Sequence, residues 1–277
     1  MTHSGGKGKS APRAAHSLTL VLAVGWLVCS GLLTWAGCGS AAGPLRMPGA
    51  QGEFERGKTA YERGRHLEAI ELLEAFERRH PGSQFIDDAL YFLGKAHQAN
   101  NEQLLARQAF ERILTAFPRS SFSEDAYFEI ARSWYLGMRG PALDPEPAEE
   151  AASAFAAYLR RYPEGKYVDE ARAAITEVQN TLAKKAFLNG RTYMRLGRPE
   201  AARRYFRKSY EQWPQASVAG KAVDGIARTY ERQDDRERAA EFYERLVEML
   251  APAPDRYEDG QDLLVRARQK LGQASSP

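Results

Sequence analysis

The chain has 277 residues, with 39 lysines and arginines against 36 aspartates and glutamates, and a formal net charge of +3. Three of the basic residues (Lys7, Lys9, Arg13) and none of the acidic ones lie in residues 1–37, so the remainder is neutral and offers no global field for nucleic acid. Both cysteines, Cys29 and Cys38, sit in the first 38 residues, which excludes a disulfide framework or a cysteine-based metal site from the rest.

Residues 1–16 are basic and small, and residues 17–37 (SLTLVLAVGWLVCSGLLTWAG) form an uncharged, mostly apolar run ending just before Cys38. That order is the order of an export signal and resembles a bacterial lipobox. The pattern departs at Trp35, where leucine is usual, and 21 apolar residues are also long enough to span a bilayer uncleaved. Under the lipobox reading residues 1–37 are a signal peptide and Cys38 is acylated, with several chains on one cysteine giving a stable anchor. Gly39 stands where inner-membrane lipoproteins carry aspartate, which favours the outer membrane. Residues 38–50 then read as a flexible tether with a reach of roughly 20 Å. Gly8-Lys9-Ser10 imitates the end of a phosphate-binding loop, but His3 stands where that loop needs glycine.

From residue 51 the periodicity is helical throughout, and no segment alternates like a strand. A first unit runs from Phe54 to Pro81, with Gly57 and Gly64 in and after its first helix and Ala69, Leu73 and Phe76 in its second. A second runs from Asp87 to Pro118. A third begins near Ser123, read as an N-cap, and its helices are parted by Gly137–Pro147, where Asp144-Pro145 suits a cap and first turn. Lys166–Leu196 holds no proline and one glycine, Gly190, which predicts a long or nearly continuous helix before Pro199–Trp213. A fifth unit spans Val218–Leu250, and Tyr257–Leu271 is an amphipathic helix that closes the stack, leaving 273–277 as a tail.

One spacing recurs around Pro81, Pro118, Pro163 and Pro214. Twelve residues earlier stands Ala69, Ala106, Ala151 or Ala202, and eight earlier Leu73, Phe110, Phe155 or Phe206. Immediately before each proline is a ring, and eight residues after it Ala89, Ala126, Ala171 or Ala222. A small residue where helices cross, a large one a turn later and a helix-ending proline describe a tetratricopeptide repeat. The expected fold is therefore all-α: a tetratricopeptide-repeat solenoid over residues 51–272, of about five helix–turn–helix units with a C-terminal capping helix.

Three stretches (60–85, 143–171 and 182–214), with the lipobox, resemble the BamD family of lipoproteins of the outer-membrane β-barrel assembly machine. The Asp-Pro loop of the third unit and the long helix of the fourth carry most of the likeness. The resemblance implies a non-catalytic subunit lipid-anchored in the outer membrane and facing the periplasm. It implies docking on a POTRA-bearing barrel-assembly protein and other assembly subunits, and receipt of unfolded outer-membrane protein precursors. The same units also resemble the Tol–Pal-associated repeat protein, whose coiled-coil segment and lack of an anchor do not fit, so a cell-envelope scaffold is the alternative.

Aligning the first helices places Phe54, Tyr91, Phe128 and Phe187 at one position, and Lys58, Lys95, Arg132, Arg191 and Arg228 four residues on. Tyr61, Gln98, Tyr135 and Met194 follow three residues later, on the same helix face. In such repeats this face lines a groove, where cations pair a carboxylate and rings bury an apolar side chain. Precursor barrels typically end in an aromatic residue with a free carboxylate, so Phe54, Lys58, Tyr61, Tyr91, Lys95, Gln98, Phe128 and Arg132 form the expected peptide groove. The competing reading is a solvated basic column over core aromatics. No catalytic residue, metal or cofactor is expected, because the five histidines show no ligand spacing.

Overall fold

A computed structural model describes residues 49–138 and 145–274. The expected signal peptide, Cys38, most of the tether and part of the third-unit loop lie outside the described residues. Among the described residues, ten helices pair as five hairpins. They are α1 (Ala50–Glu62) with α2 (His66–Arg79), α3 (Ile86–Ala99) with α4 (Gln103–Ala116), and α5 (Ser123–Leu136) with α6 (Glu146–Arg161). The last two are α7 (Val168–Arg195) with α8 (Pro199–Gln212), and α9 (Ala219–Glu231) with α10 (Arg236–Leu250); α11 (Gly260–Ala274) packs on α10. Among the described residues there is no strand, and no helix is long and apolar enough to cross a membrane.

The proline spacing has a physical cause at every step. A proline disfavours helical geometry in the residue before it, and His80, Phe117, Tyr162 and Trp213 leave the helix with φ between −130° and −135°. Two backbone bonds then repeat in all four turns; in the first, Ser83 N–H donates to His80 O (3.0 Å) and Ile86 N–H to Ser83 O (3.2 Å). Ala69, Ala106, Ala151 and Ala202 are fully buried, because only a small side chain fits where the paired helices cross. The large residue that follows seats in a notch on the partner helix. A Cβ on Gly57 would meet Leu73 at 2.7 Å, one on Gly94 would meet Phe110 at 2.6 Å, and one on Gly190 would meet Phe206 at 2.5 Å. Ala131 and Ala227 hold the same place in the third and fifth units.

Four of the five hairpins close with one helix-ending motif. Gly64, Asn101, Gly197 and Asp234 adopt left-handed φ of 58–74°. The next residue's N–H reaches back to the helix, as in Arg65 to Ala60 O (2.9 Å) and Asp235 to Tyr230 O (3.0 Å). Asparagine and aspartate tolerate this conformation better than other side-chain-bearing residues, so they replace glycine here. The third hairpin differs: its helix ends at Gly137 with φ −75°.

Helix α7 is one continuous helix of 28 residues, as expected. Its first half, through Leu182, packs with α5 and α6, and its second, from Phe187, with α8 and α9. Several boundaries differ from the sequence reading. Helix α1 starts at Ala50, following the left-handed Gly49 (φ 85°), rather than after the tether. Ser123 does not cap α5; its hydroxyl donates to Ser120 O (2.9 Å), while the Ser120 hydroxyl accepts from Phe122 N–H (3.1 Å). Pro145 takes the cap position of α6 and Pro147 its first turn. Helix α11 begins at Gly260, later than Tyr257, because Glu258 N–H is held by Ser217 O (2.8 Å) and Asp259 turns with φ 56°. It also runs past residue 272, into the expected tail.

Candidate functional site

The inner column of α1, α3 and α5 exists, but its members divide by burial. Phe54 and Phe128 are core residues, only 3% and 2% exposed, and so do not line an open groove. The cause is a ring four residues after each proline, which folds back over the preceding unit. Phe85 stacks on Phe54 (centroids 5.5 Å apart), Phe122 on Tyr91 (4.4 Å) and Tyr167 on Phe128 (4.2 Å). Gln98 is buried as well, since its amide donates to Ser133 Oγ (2.9 Å) and to Glu129 O (3.2 Å). These three positions belong to packing rather than to a ligand surface. Tyr91 is half-buried, and burial, followed by the nearby Glu129 charge, pushes its hydroxyl up.

Lys95 is tied down too. Its Nζ lies 2.5 Å from Glu129 Oε1, and that carboxylate is almost wholly buried, with its side chain 4% exposed. Arg132 Nη1 stands 3.4 Å from the same oxygen. Glu129 Oε2 is buried without a hydrogen-bond partner. An incoming carboxylate therefore has to compete with Glu129 for Lys95, whereas Arg132 still presents part of its guanidinium to solvent.

The open part of the column lies around Lys58. Its ammonium sits 5.4 Å over the Phe92 ring, with Glu62 no closer than 4.0 Å. Tyr61 packs 5.7 Å from Phe92, and its hydroxyl is raised by burial first and by the Glu129 charge second. Lys58, Tyr61, Phe92 and Arg132 thus combine two accessible cations with two half-buried rings. Phe92 and Glu129 were missed by the sequence reading. Phe92 follows Tyr91 and falls off the aligned positions, and a glutamate on a helix looks solvated until its partner on another helix is known.

The junction of the third and fourth units is locked by polar contacts. Glu124 Oε1 accepts from the Tyr158 hydroxyl (2.8 Å) and from Lys166 N–H (2.7 Å), and the buried Asp125 accepts from Tyr167 (2.6 Å) and Lys166 (2.8 Å). Burial and these carboxylates push the Tyr158 hydroxyl up to about 12. The remaining members of the basic column, Arg191 and Arg228, face a separate cleft bounded by α7, α9 and α11.

Residues 49–246 match the family described as "YfiO: Outer membrane lipoprotein". The chain is 25% identical over 177 residues to the outer membrane protein assembly factor BamD of Caulobacter vibrioides, covering 64% of this chain and 58% of that protein. It is 24% identical over 198 residues to the BamD of Vibrio cholerae, covering 65% and 78%. The chain therefore spans less than two thirds of the Caulobacter relative. Among solved structures it is similar to the thermophilic TPR protein TTC0263 of Thermus thermophilus (18% identity, 80% and 99% covered, TM-score 0.34). The TPR2AB domain of yeast Sti1 in its pHSP90 complex matches with a TM-score of 0.40 (14% identity, 82% and 98% covered).

Proposed function

The chain belongs to the YfiO family of outer membrane lipoproteins, and from that membership we propose that it is a non-catalytic assembly factor for outer-membrane β-barrel proteins. In this reading Cys38 carries the lipid, the solenoid faces the periplasm, and its units scaffold a POTRA-bearing barrel-assembly protein. The inner face of α1, α3 and α5 receives unfolded precursors by their C-terminal aromatic residue and carboxylate.

The observation that carries the precursor site is Lys58, partly open to solvent and 5.4 Å over the Phe92 ring beside Tyr61, with the partly exposed Arg132 close enough to act on the Tyr61 hydroxyl. A cation beside a ring suits a ligand that ends in a ring and a carboxylate. The site is narrower than the sequence suggested, because Phe54, Gln98 and Phe128 are packed inside and Lys95 is engaged by Glu129.

Affinity purification of the tagged full chain from detergent-solubilised membranes tests the role. The expected result is recovery of a POTRA-bearing barrel protein at near-equal amounts. Recovery of Tol or peptidoglycan-binding components in its place overturns the assembly reading in favour of an envelope scaffold.

A further inference from the structure

The second concave site of the solenoid lies between α7, α9 and α11 and encloses a cleft of about 520 Å³. Six cationic and three acidic side chains line it. Arg191 and Arg195 stand four residues apart on α7, Arg228 lies in the last turn of α9 with Arg232 four residues on at its C-cap, and Arg266 reaches in from α11. Residues four apart share a helix face, so the two helices oppose paired guanidinium groups.

The charges inside the cleft are unequally committed. Lys221 is held by Glu258 (2.9 Å) and Asp259 (2.8 Å). Asp224 is met by Arg266 (3.4 Å) and Arg228 (3.8 Å). Arg232 donates to Met194 O (2.8 Å). Among the described residues, Arg191, Arg195 and Arg232 have no carboxylate partner. Arg191 instead lies 5.9 Å from the Phe187 ring, which is half-buried because Val218 replaces the stacking ring of the earlier turns. At the cleft floor the Asp224 side chain is 6% exposed, and its Oδ1 has no hydrogen-bond partner.

We propose that this cleft is a second polypeptide-binding site, which takes an extended segment bearing at least two carboxylate side chains from a partner protein. Planar guanidinium pairs match carboxylates bidentately. The unpaired Asp224 acceptor calls for an N–H donor, which a polypeptide backbone supplies and a phosphate dianion does not. Phe187 and Met194 offer apolar contact between the charges. The chain's own N-terminal segment does not fit, because residues 1–48 contain no aspartate or glutamate.

Fluorescence anisotropy of the full chain with a labelled peptide of alternating glutamate and leucine tests this site. The glutamine–leucine counterpart, inorganic phosphate and phosphatidylglycerol vesicles serve as the other arms. The glutamate peptide is expected to bind with strong salt dependence, and the glutamine peptide is not. Reversing two exposed charges (Arg191→Glu with Arg195→Glu) weakens binding about tenfold. Arg191→Gln with Arg195→Gln weakens it less, and both variants keep wild-type helical circular dichroism. Lys58→Glu with Arg132→Glu leaves it unchanged, which separates this site from the precursor groove. Equal affinity for the glutamine peptide, unchanged affinity in the folded arginine variants, displacement by phosphate beyond its ionic strength, or vesicle binding through these arginines without peptide binding each overturns the proposal.

Discussion

Units one to three and units four to five share one repeat spacing but finish their inner faces in opposite ways. In the first region a ring from each inter-unit turn closes over the helix before it, and the central cation, Lys95, is consumed by the buried Glu129. In the second, Val218 stands where those rings would be, Phe187 remains half-buried, and arginines line an open cleft. Helix α7 makes the division possible, since one half completes the core of unit three and the other starts that of unit four. The lesson is that repeat residues specify where helices cross. The few residues between the repeats decide whether a concave face is packed shut or left to bind.

Removing a partner from a buried ion pair gives the largest effect. Glu129→Ala strands Lys95 and is expected to cost about 3 kcal/mol in urea unfolding, whereas Arg191→Ala, on the open wall of the cleft, stays within about 0.5 kcal/mol. Equal losses at the two positions would erase the contrast. Phe122→Ala uncovers Tyr91 and is expected to cost about 2 kcal/mol, less than a fully buried phenylalanine, by the same measurement.

The glycine notches should not distinguish the regions. Gly94→Ala pushes on Phe110 and Gly190→Ala on Phe206, and each is expected to lose about 1–2 kcal/mol by overpacking. A large difference between them would mean that the repeats are not equivalent even in their core.

The smallest effect concerns pH. Burial raises the Asp224 carboxyl, against the opposing pull of Arg266 and Arg228. The folded chain therefore holds this proton more tightly than the unfolded chain. Stability attributable to Asp224 falls as pH rises from the ordinary carboxylate range through the raised native value, and the penalty is complete above it. Asp224→Asn is expected to melt no lower than wild type at pH 7, and its advantage should shrink towards pH 4.5 in thermal scans.

Much of this organisation was legible in the sequence. The small alanines at the helix crossings, the large residue a turn later and the uninterrupted α7 follow from spacing, because helix geometry fixes which residues meet within a hairpin. The closure of Phe54 and Phe128 was not, since it depends on Phe85 and Tyr167 turning back across a loop. Nor was the neutralisation of Lys95, because Glu129 lies 34 residues away on another unit and reads as an ordinary surface charge. The left-handed Asn101 and Asp234 were hidden too, as their turns lack the glycine that marks Gly64 and Gly197.

Whether the two faces recognise different ligands is tested most directly by a crossed binding measurement. A peptide with a C-terminal aromatic residue and free carboxylate, and the glutamate–leucine peptide, are each titrated against Lys58→Glu/Arg132→Glu and Arg191→Glu/Arg195→Glu. The first variant is expected to lose only the aromatic-ended peptide and the second only the acidic one. Loss of both peptides in one variant, or of neither in either, would contradict this expectation.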